Sequence, residues 1–437
     1  MVNIYNYLKI VYQNLKQENS KNTSFVAVVF VLLCIPLTYS LNSISLGLLF
    51  IMTLFSFKKS NFKLNKTLLL PIILYLLMAI SLIWTRDFSG SFKALSKELP
   101  LLILPLCFFI FPSFSKEQKQ KAIQYYSYGI AVFTLFCLTK AIVRYVLSSN
   151  VNVFFYHELV TEDVNAIHVS VYVCLAIFYF IIYSSKTILD KIIIILLTLF
   201  LILLSSKNIS IVFFGLVIFY YLRYNKTTVK EKTVKLSLLF IIVIAIAFTG
   251  KIKDRFLIEY QSNAKENSIN KEISTQTGIV YNVSAKLAWT QDNFNPNDFF
   301  AGTAFRVYQI RIFKEMLQED PIFFTGYGLN ATDFKIAEKR IEHNLYKGYE
   351  NKNFHNEYIQ IFAEIGFFGL ILLITMVLLN FKNAIKKQDF MHISFAVLMI
   401  SLFLTESFLS RQRGIVFFTI FYCLFNADNL IVTSRKE

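Results

Sequence analysis

Cysteine is scarce in this chain, and the five present (Cys34, Cys107, Cys137, Cys174 and Cys423) all fall in long apolar runs. None lies in the one long polar segment. That excludes a disulfide framework and a thiolate metal site, and leaves the cysteines as small packing residues. An HExxH pair, paired aspartates in an outer loop and a glycine-rich phosphate loop are also missing. A metal-dependent transferase needs acidic ligands for Mg²⁺ or Mn²⁺, so neither metal nor cofactor is expected. No internal repeat is visible, which weakens a transporter of two inverted halves. Residues 1–23 lack the signal-peptide pattern, because Lys9, Lys16, Glu18 and Lys21 punctuate them and no small-residue cleavage site follows the first apolar run.

What is abundant is apolar length. The 437 residues are 55% hydrophobic, with a mean hydropathy of +0.53. About twelve runs are long enough to cross a hydrocarbon core of about 30 Å. They lie near 24–40, 41–57, 67–84, 98–113, 124–147, 164–184, 190–206, 208–224, 236–250, 356–380, 389–407 and 413–430. The expected fold is an all-α integral membrane protein with one large periplasmic loop containing short helices. It divides into an N-terminal membrane region (1–250), the loop (251–354) and a C-terminal membrane region (355–437).

The net charge of +16 invites a nucleic-acid reading, and its distribution rejects one. With the N-terminus inside, the inner loops carry Lys58, Lys59, Lys63 and Lys66, then Lys116, Lys119 and Lys121, then Lys186 and Lys191. Arg223, Lys226, Lys230, Lys232 and Lys235 follow, then Lys382, Lys386 and Lys387, and finally Arg435 and Lys436. The short outer loops hold few cations. This positive-inside bias reports orientation and a lipid bilayer rather than nucleic acid. It places the 251–354 loop outside.

That loop is not of low complexity. Gln261 to Asn297 is rich in Asn, Ser, Thr and Gln, whereas 304–319 reads as an amphipathic helix. Phe305, Ile310, Ile312, Phe313, Met316 and Leu317 form its apolar arc, with Arg311, Lys314, Glu315 and Gln318 opposite. Arg306 falls inside the apolar arc and needs a partner, with Asp320 and Asp333 as carboxylates within the loop. Pro321 ends the helix, Gly326-Tyr327-Gly328 makes a turn, and a second polar helix near 331–346 carries a solvated His343.

Residues that can do chemistry gather at the outer ends of the spans. His355 opens a segment that runs free of any break through Gly366 and on into a membrane span. On a continuous helix the two share a face about three turns apart, roughly 16 Å. Taken alone, His355 serves equally well as an interfacial anchor. Lys207 sits in the hairpin Ser205-Ser206-Lys207-Asn208, where a serine caps the next helix and the helix N-terminus suits an anion. Glu406, Arg411 and Arg413 close the last outer turn, with a Glu406–Arg411 ion pair as the structural alternative. Tyr156 and His168 lie between and within the fifth and sixth spans. The candidates are mainly cationic, which favours an anionic substrate neutralised by Arg and Lys.

The pattern resembles the O-antigen ligase and O-antigen polymerase superfamily of bacterial membrane glycan transferases. The resemblance is carried by Gly302-Thr303-Ala304-Phe305-Arg306, Asp320-Pro321, Gly326-Tyr327-Gly328 and the His355–Gly366 segment, and spans about 160–430. It implies an undecaprenyl diphosphate-linked glycan donor and an acceptor glycan such as the lipid A core. Family ligases carry an arginine opening a late span, a second arginine in the long loop and a histidine before the next span. Arg306 and His355 match the last two. Lys207 stands where the first arginine is expected, keeping the charge but losing the bidentate fork.

The leading expectation is therefore a metal-independent glycosyltransferase of the cell inner membrane, with its site facing the periplasm. His355 is the catalytic base, Arg306, Lys207 and Arg411 bind the diphosphate, and Glu406, Arg413, His168 and Tyr156 are secondary candidates. The alternatives are a surface polysaccharide polymerase of the same superfamily and a non-enzymatic transporter of a lipid-linked or anionic solute. A transporter predicts charge spread through mid-bilayer positions, whereas here it concentrates at the outer ends.

Overall fold

The computed structural model describes residues 4–183, 187–233, 237, 250–264, 268–270, 274, 278–349 and 352–427. The expected ninth span at 236–250 falls almost wholly outside these, as do Lys186, Lys235, Arg435 and Lys436.

The chain runs through α1 (Ile4–Lys21), α2 (Phe25–Cys34), α3 (Tyr39–Phe55), α4 (Lys66–Ile80), α5 (Phe88–Glu98), α6 (Pro100–Ile110) and α7 (Lys116–Ser148). Next come α8 (Tyr156–Leu159), α9 (Ala166–Tyr183), α10 (Ile188–Leu203), α11 (Lys207–Arg223) and α12 (Gly250–Ala264). The loop holds β1 (Ser268–Ile269), β2 (Tyr281–Val283), α13 (Ala285–Thr290), β3 (Asp298–Phe300), α14 (Gly302–Glu319) and α15 (Asp333–Glu342). It is followed by α16 (Glu357–Lys387), α17 (Phe390–Phe403) and α18 (Gln412–Asn426). Among the described residues, four helices, Lys66–Ile83, Lys116–Ser148, Ala166–Tyr183 and Glu357–Lys387, are long and apolar enough to cross a membrane. All five cysteines are free and buried.

Local chemistry sets the helix ends. Ser115 and Gln118 form a reciprocal capping box on α7. Gln388 turns left-handed after α16, and Asp389 then caps α17 through the amides of Met391 and His392. Helices α9 and α18 are apolar on every side and occupy the interior. The first packs against α7, α10 and α17, the second against α6.

One departure from the all-α expectation is a small sheet in the loop. β1 pairs antiparallel with β2, and β2 runs parallel to β3. The segment builds its own core from residues such as Phe294, Phe300, Tyr308, Ile312, Met316 and Phe354, to which α16 contributes Ala363. Two expectations for it change. Arg311 is buried, paired with Asp292 at 2.5 Å and Glu315 at 2.8 Å, while Ile310 is exposed. The helix packs on more of its circumference than a single arc, and Arg311 is tolerated there because its charge is paired. His343 is also buried rather than solvated, with Nδ1 3.2 Å from the Tyr308 hydroxyl and Nε2 3.4 Å from Glu315.

The unbroken helix from His355 through Gly366 is not what forms. The helix starts at Glu357, and Gly366 breaks it at φ 75°, ψ −169°. The break frees backbone groups that clasp the 323–328 turn. Tyr327 and Gly328 donate to the carbonyls of Ala363 and Glu364, both at 2.9 Å, and Phe367 donates to Phe323 at 2.8 Å. Gly326, also left-handed at φ 67°, backs onto Glu364, and a Cβ on either glycine would collide with the opposing backbone. The small residue at 366 thus admits the loop's own backbone. The turn that follows α4 holds the same element: Trp84 Nε1 donates to Thr325 O at 3.0 Å, and Arg86 pairs with Asp320 at 3.3 Å.

Candidate functional site

The turn at 404–409, between α17 and α18, organises the site. The segment from Phe354 to Gln360 grips it with successive polar groups. His355 Nδ1 lies 3.4 Å from Glu406 Oε2. Asn356 Nδ2 donates to Leu404 O at 3.2 Å while its Oδ1 caps α16 through Ile359 N. Glu357 accepts from Leu409 N at 2.7 Å, and the Ser407 hydroxyl donates to Gln360 at 3.4 Å. The polar residues before the span are therefore a clamp on a distant turn. His355 itself is held left-handed at φ 47°, a conformation that non-glycine residues adopt only when their surroundings enforce it.

Arg306 reaches the same turn, and Lys207 lies next to a residue that does. Arg306, on α14, donates from Nε to Thr405 O at 3.0 Å and from NH1 to Gly302 O at 3.0 Å. Its partners are backbone carbonyls, and neither Asp320 nor Asp333 serves: Asp320 instead accepts from Tyr327 and Arg86. Lys207 opens α11 just after Ser205, which is left-handed at φ 51°. The expected serine cap does not form, for Ser205 Oγ turns back to Ile202 O and Leu203 O and Ser206 makes no side-chain cap. The next residue, Asn208, donates to Thr405 Oγ1 at 2.8 Å and Ser401 O at 3.0 Å. Arg306 and His355 are thus joined through Thr405 and Glu406, and Asn208 sets the start of α11, with Lys207, beside them.

The electrostatics follow from this arrangement. Glu406 is almost fully buried, with the His355 imidazole against its carboxylate. The ring of Phe305 meets His355 edge-on at 5.8 Å. Arg411 is exposed, and no Glu406–Arg411 ion pair occurs among the described residues. No group of His, Cys, Asp and Glu suited to a metal ion is found among them.

The secondary candidates separate. His168 is buried beside the turn, its ring 4.4 Å from Phe408. Arg413 is buried and engaged elsewhere: it donates to Leu37 O and Asp163 O, and its guanidinium lies 4.1 Å from the Tyr39 ring. Tyr156 opens α8, which Arg144 ties down through Glu158, and its ring lies 4.0 Å from that of His157. Sequence reasoning missed Glu259. From α12 it accepts from Thr303 N at 2.7 Å and Thr303 Oγ1 at 3.3 Å, and lies 3.5 Å from Lys207 Nζ. No spacing signals this, because an isolated acid in a long loop has no partner until the chain folds.

Residues 192–374 match the family model described as O-antigen ligase. This segment is similar to the O-antigen ligase family. No curated protein matches the chain. The ligase-family segment includes Lys207, Glu259, Arg306 and His355, whereas Glu406 and Arg411 come from beyond its matched end.

Proposed function

We propose that the chain is an O-antigen ligase-like glycosyltransferase. It moves a glycan from undecaprenyl diphosphate to an acceptor sugar, with the lipid A core as acceptor, at the periplasmic face of the bacterial inner membrane and without a metal. The observation that carries this reading is the meeting of Arg306 and His355 at Thr405 and Glu406, with Lys207 held alongside by its neighbour Asn208, which also bonds Thr405. Cations beside an imidazole suit a reaction whose leaving group is a diphosphate.

In the transfer, the acceptor hydroxyl oxygen bonds to the anomeric carbon as its bond to the diphosphate breaks. The diphosphate keeps the electron pair, and Lys207, Arg306 and Arg411 neutralise its charge. The hydroxyl proton passes to His355. Because Nδ1 faces the Glu406 carboxylate, that nitrogen carries the resting proton and Nε2 accepts the new one, with Glu406 steadying the imidazolium.

Purified, reconstituted protein given a lipid-diphosphate glycan and core acceptor should produce glycosylated core in the presence of excess EDTA. Loss of activity that Mg²⁺ or Mn²⁺ restores would overturn the metal-free mechanism. In a deletion strain, polymer accumulating on the lipid carrier supports ligation. Core bearing single repeat units would point to polymerisation, and donor retained on the inner leaflet to a transporter.

A further inference from the structure

We infer that Glu259 is a resident counter-anion in the donor's diphosphate seat, and that the donor binds by displacing its carboxylate from Lys207 and Thr303. The inference rests on the reading of Lys207 and Arg306 as diphosphate ligands.

The seat lies at the start of α14. Ala301 occupies the N-cap position and offers no side-chain acceptor, so the first amides need one from elsewhere. Glu259 supplies it from another helix, with one oxygen on Thr303 N and the other on Thr303 Oγ1 and near Lys207 Nζ. Gly302 leaves the space open: a Cβ there would lie 3.2 Å from Arg306 NH1 and 3.6 Å from Glu259 Oε1. One carboxylate therefore uses a helix-terminal amide, a hydroxyl and an ammonium, beside a guanidinium. These are the groups a phosphate would take.

The carboxylate is only partly buried, at 18% exposure, and Lys207 is at 28%. Solvent reaches both partners, so an incoming anion can replace one without opening the core. A diphosphate brings more charge and more acceptor oxygens than a carboxylate, which favours the exchange. In the donor-free protein the Glu259 carboxylate occupies the Thr303 amide and hydroxyl and one side of the lysine, and its removal opens those positions to another anion.

The test uses the full-length protein in detergent with inorganic pyrophosphate as probe, alongside transfer kinetics after reconstitution. Glu259→Gln should tighten pyrophosphate binding about tenfold, equivalent to about 1.4 kcal/mol, and lower the KM for donor in parallel. Lys207→Gln should weaken pyrophosphate binding in both backgrounds. Equal or weaker binding by folded E259Q overturns the inference, because the carboxylate would then be organising the seat rather than filling it. If E259Q does not fold, Glu259→Asp asks the same question: its shorter reach should also tighten binding, and unchanged binding overturns the proposal. Tighter pyrophosphate binding in E259Q without glycan transfer by any variant, wild type included, would uphold the seat and remove the glycosyltransferase reading.

Discussion

The Glu406 carboxylate faces Nδ1 of His355 at 3.4 Å, although the two stand on separate turns and His355 is held left-handed to meet it. Activity and stability should therefore separate at position 355. His355→Ala should abolish transfer, a loss on the order of 10²-fold or more, while leaving membrane level and donor binding intact. His355→Gly should lose transfer equally yet unfold no more easily than wild type, since glycine relieves a left-handed strain of about 1 kcal/mol. Normal specific activity in either variant removes the catalytic role. Glu406→Gln should lower the turnover number and shift its pH profile, with less effect on donor KM.

Arg306 and Lys207 should respond differently to exchange. Arg306 spans Thr405 O and Gly302 O with two nitrogens, a geometry lysine cannot reproduce. Arg306→Ala should weaken donor binding and turnover together, and Arg306→Lys should recover only part. Lys207→Arg should remain active, whereas Lys207→Ala should be impaired. Variants whose transfer merely follows their expression level would mark these cations as helix-end anchors.

Gly366→Ala should destabilise the protein without touching the candidate site. A Cβ would strike the Phe324 carbonyl, and the positive φ adds strain. A loss of at least about 2 kcal/mol is expected, read as a lower unfolding temperature in detergent and as greater protease sensitivity of the loop. An unchanged unfolding temperature would mean that the clasp does not hold the loop in place.

The tie between Asp320, Arg86 and Tyr327 should fail in acid. Burial pushes the Asp320 carboxyl up, but hydrogen bonds from Tyr327 and Arg86 and the charges of Arg86 and Lys335 outweigh it and hold it below the usual carboxylate range. A carboxyl with a depressed folded pKa contributes stability above its unfolded pKa of about 3.9, and loses that contribution as pH falls through the lower folded value. Asp320→Asn should therefore lower the unfolding temperature at pH 7, with the gap to wild type closing below about pH 4. A gap independent of pH would show that the charge is not what stabilises the tie.

Topology can be read at Tyr260, which is 72% exposed, whereas the nearby Ser262 is fully buried. In cells with a permeabilised outer membrane, Tyr260→Cys should react with an impermeant maleimide. Reaction only after inner-membrane lysis would place the loop on the cytoplasmic side.

Much was legible in the sequence. Apolar run length predicted most of the helices, because a span must satisfy its own backbone bonds over a set thickness. Lys207, Arg306 and His355 stood out because charge and imidazole at the ends of apolar helices are costly and therefore conspicuous. What only the tertiary structure decided was who meets whom. Thr405, Asn208 and Glu259 join the site through contacts between residues roughly 50 to 200 positions apart, and no local periodicity encodes such pairings. Gly366 likewise reads as a small residue on a helix face until the 323–328 turn claims its backbone. The sequence by itself determined where helices could form and which residues were chemically out of place. The fold decided their partners, because a buried polar group takes whichever acceptor the packing of distant segments brings within reach.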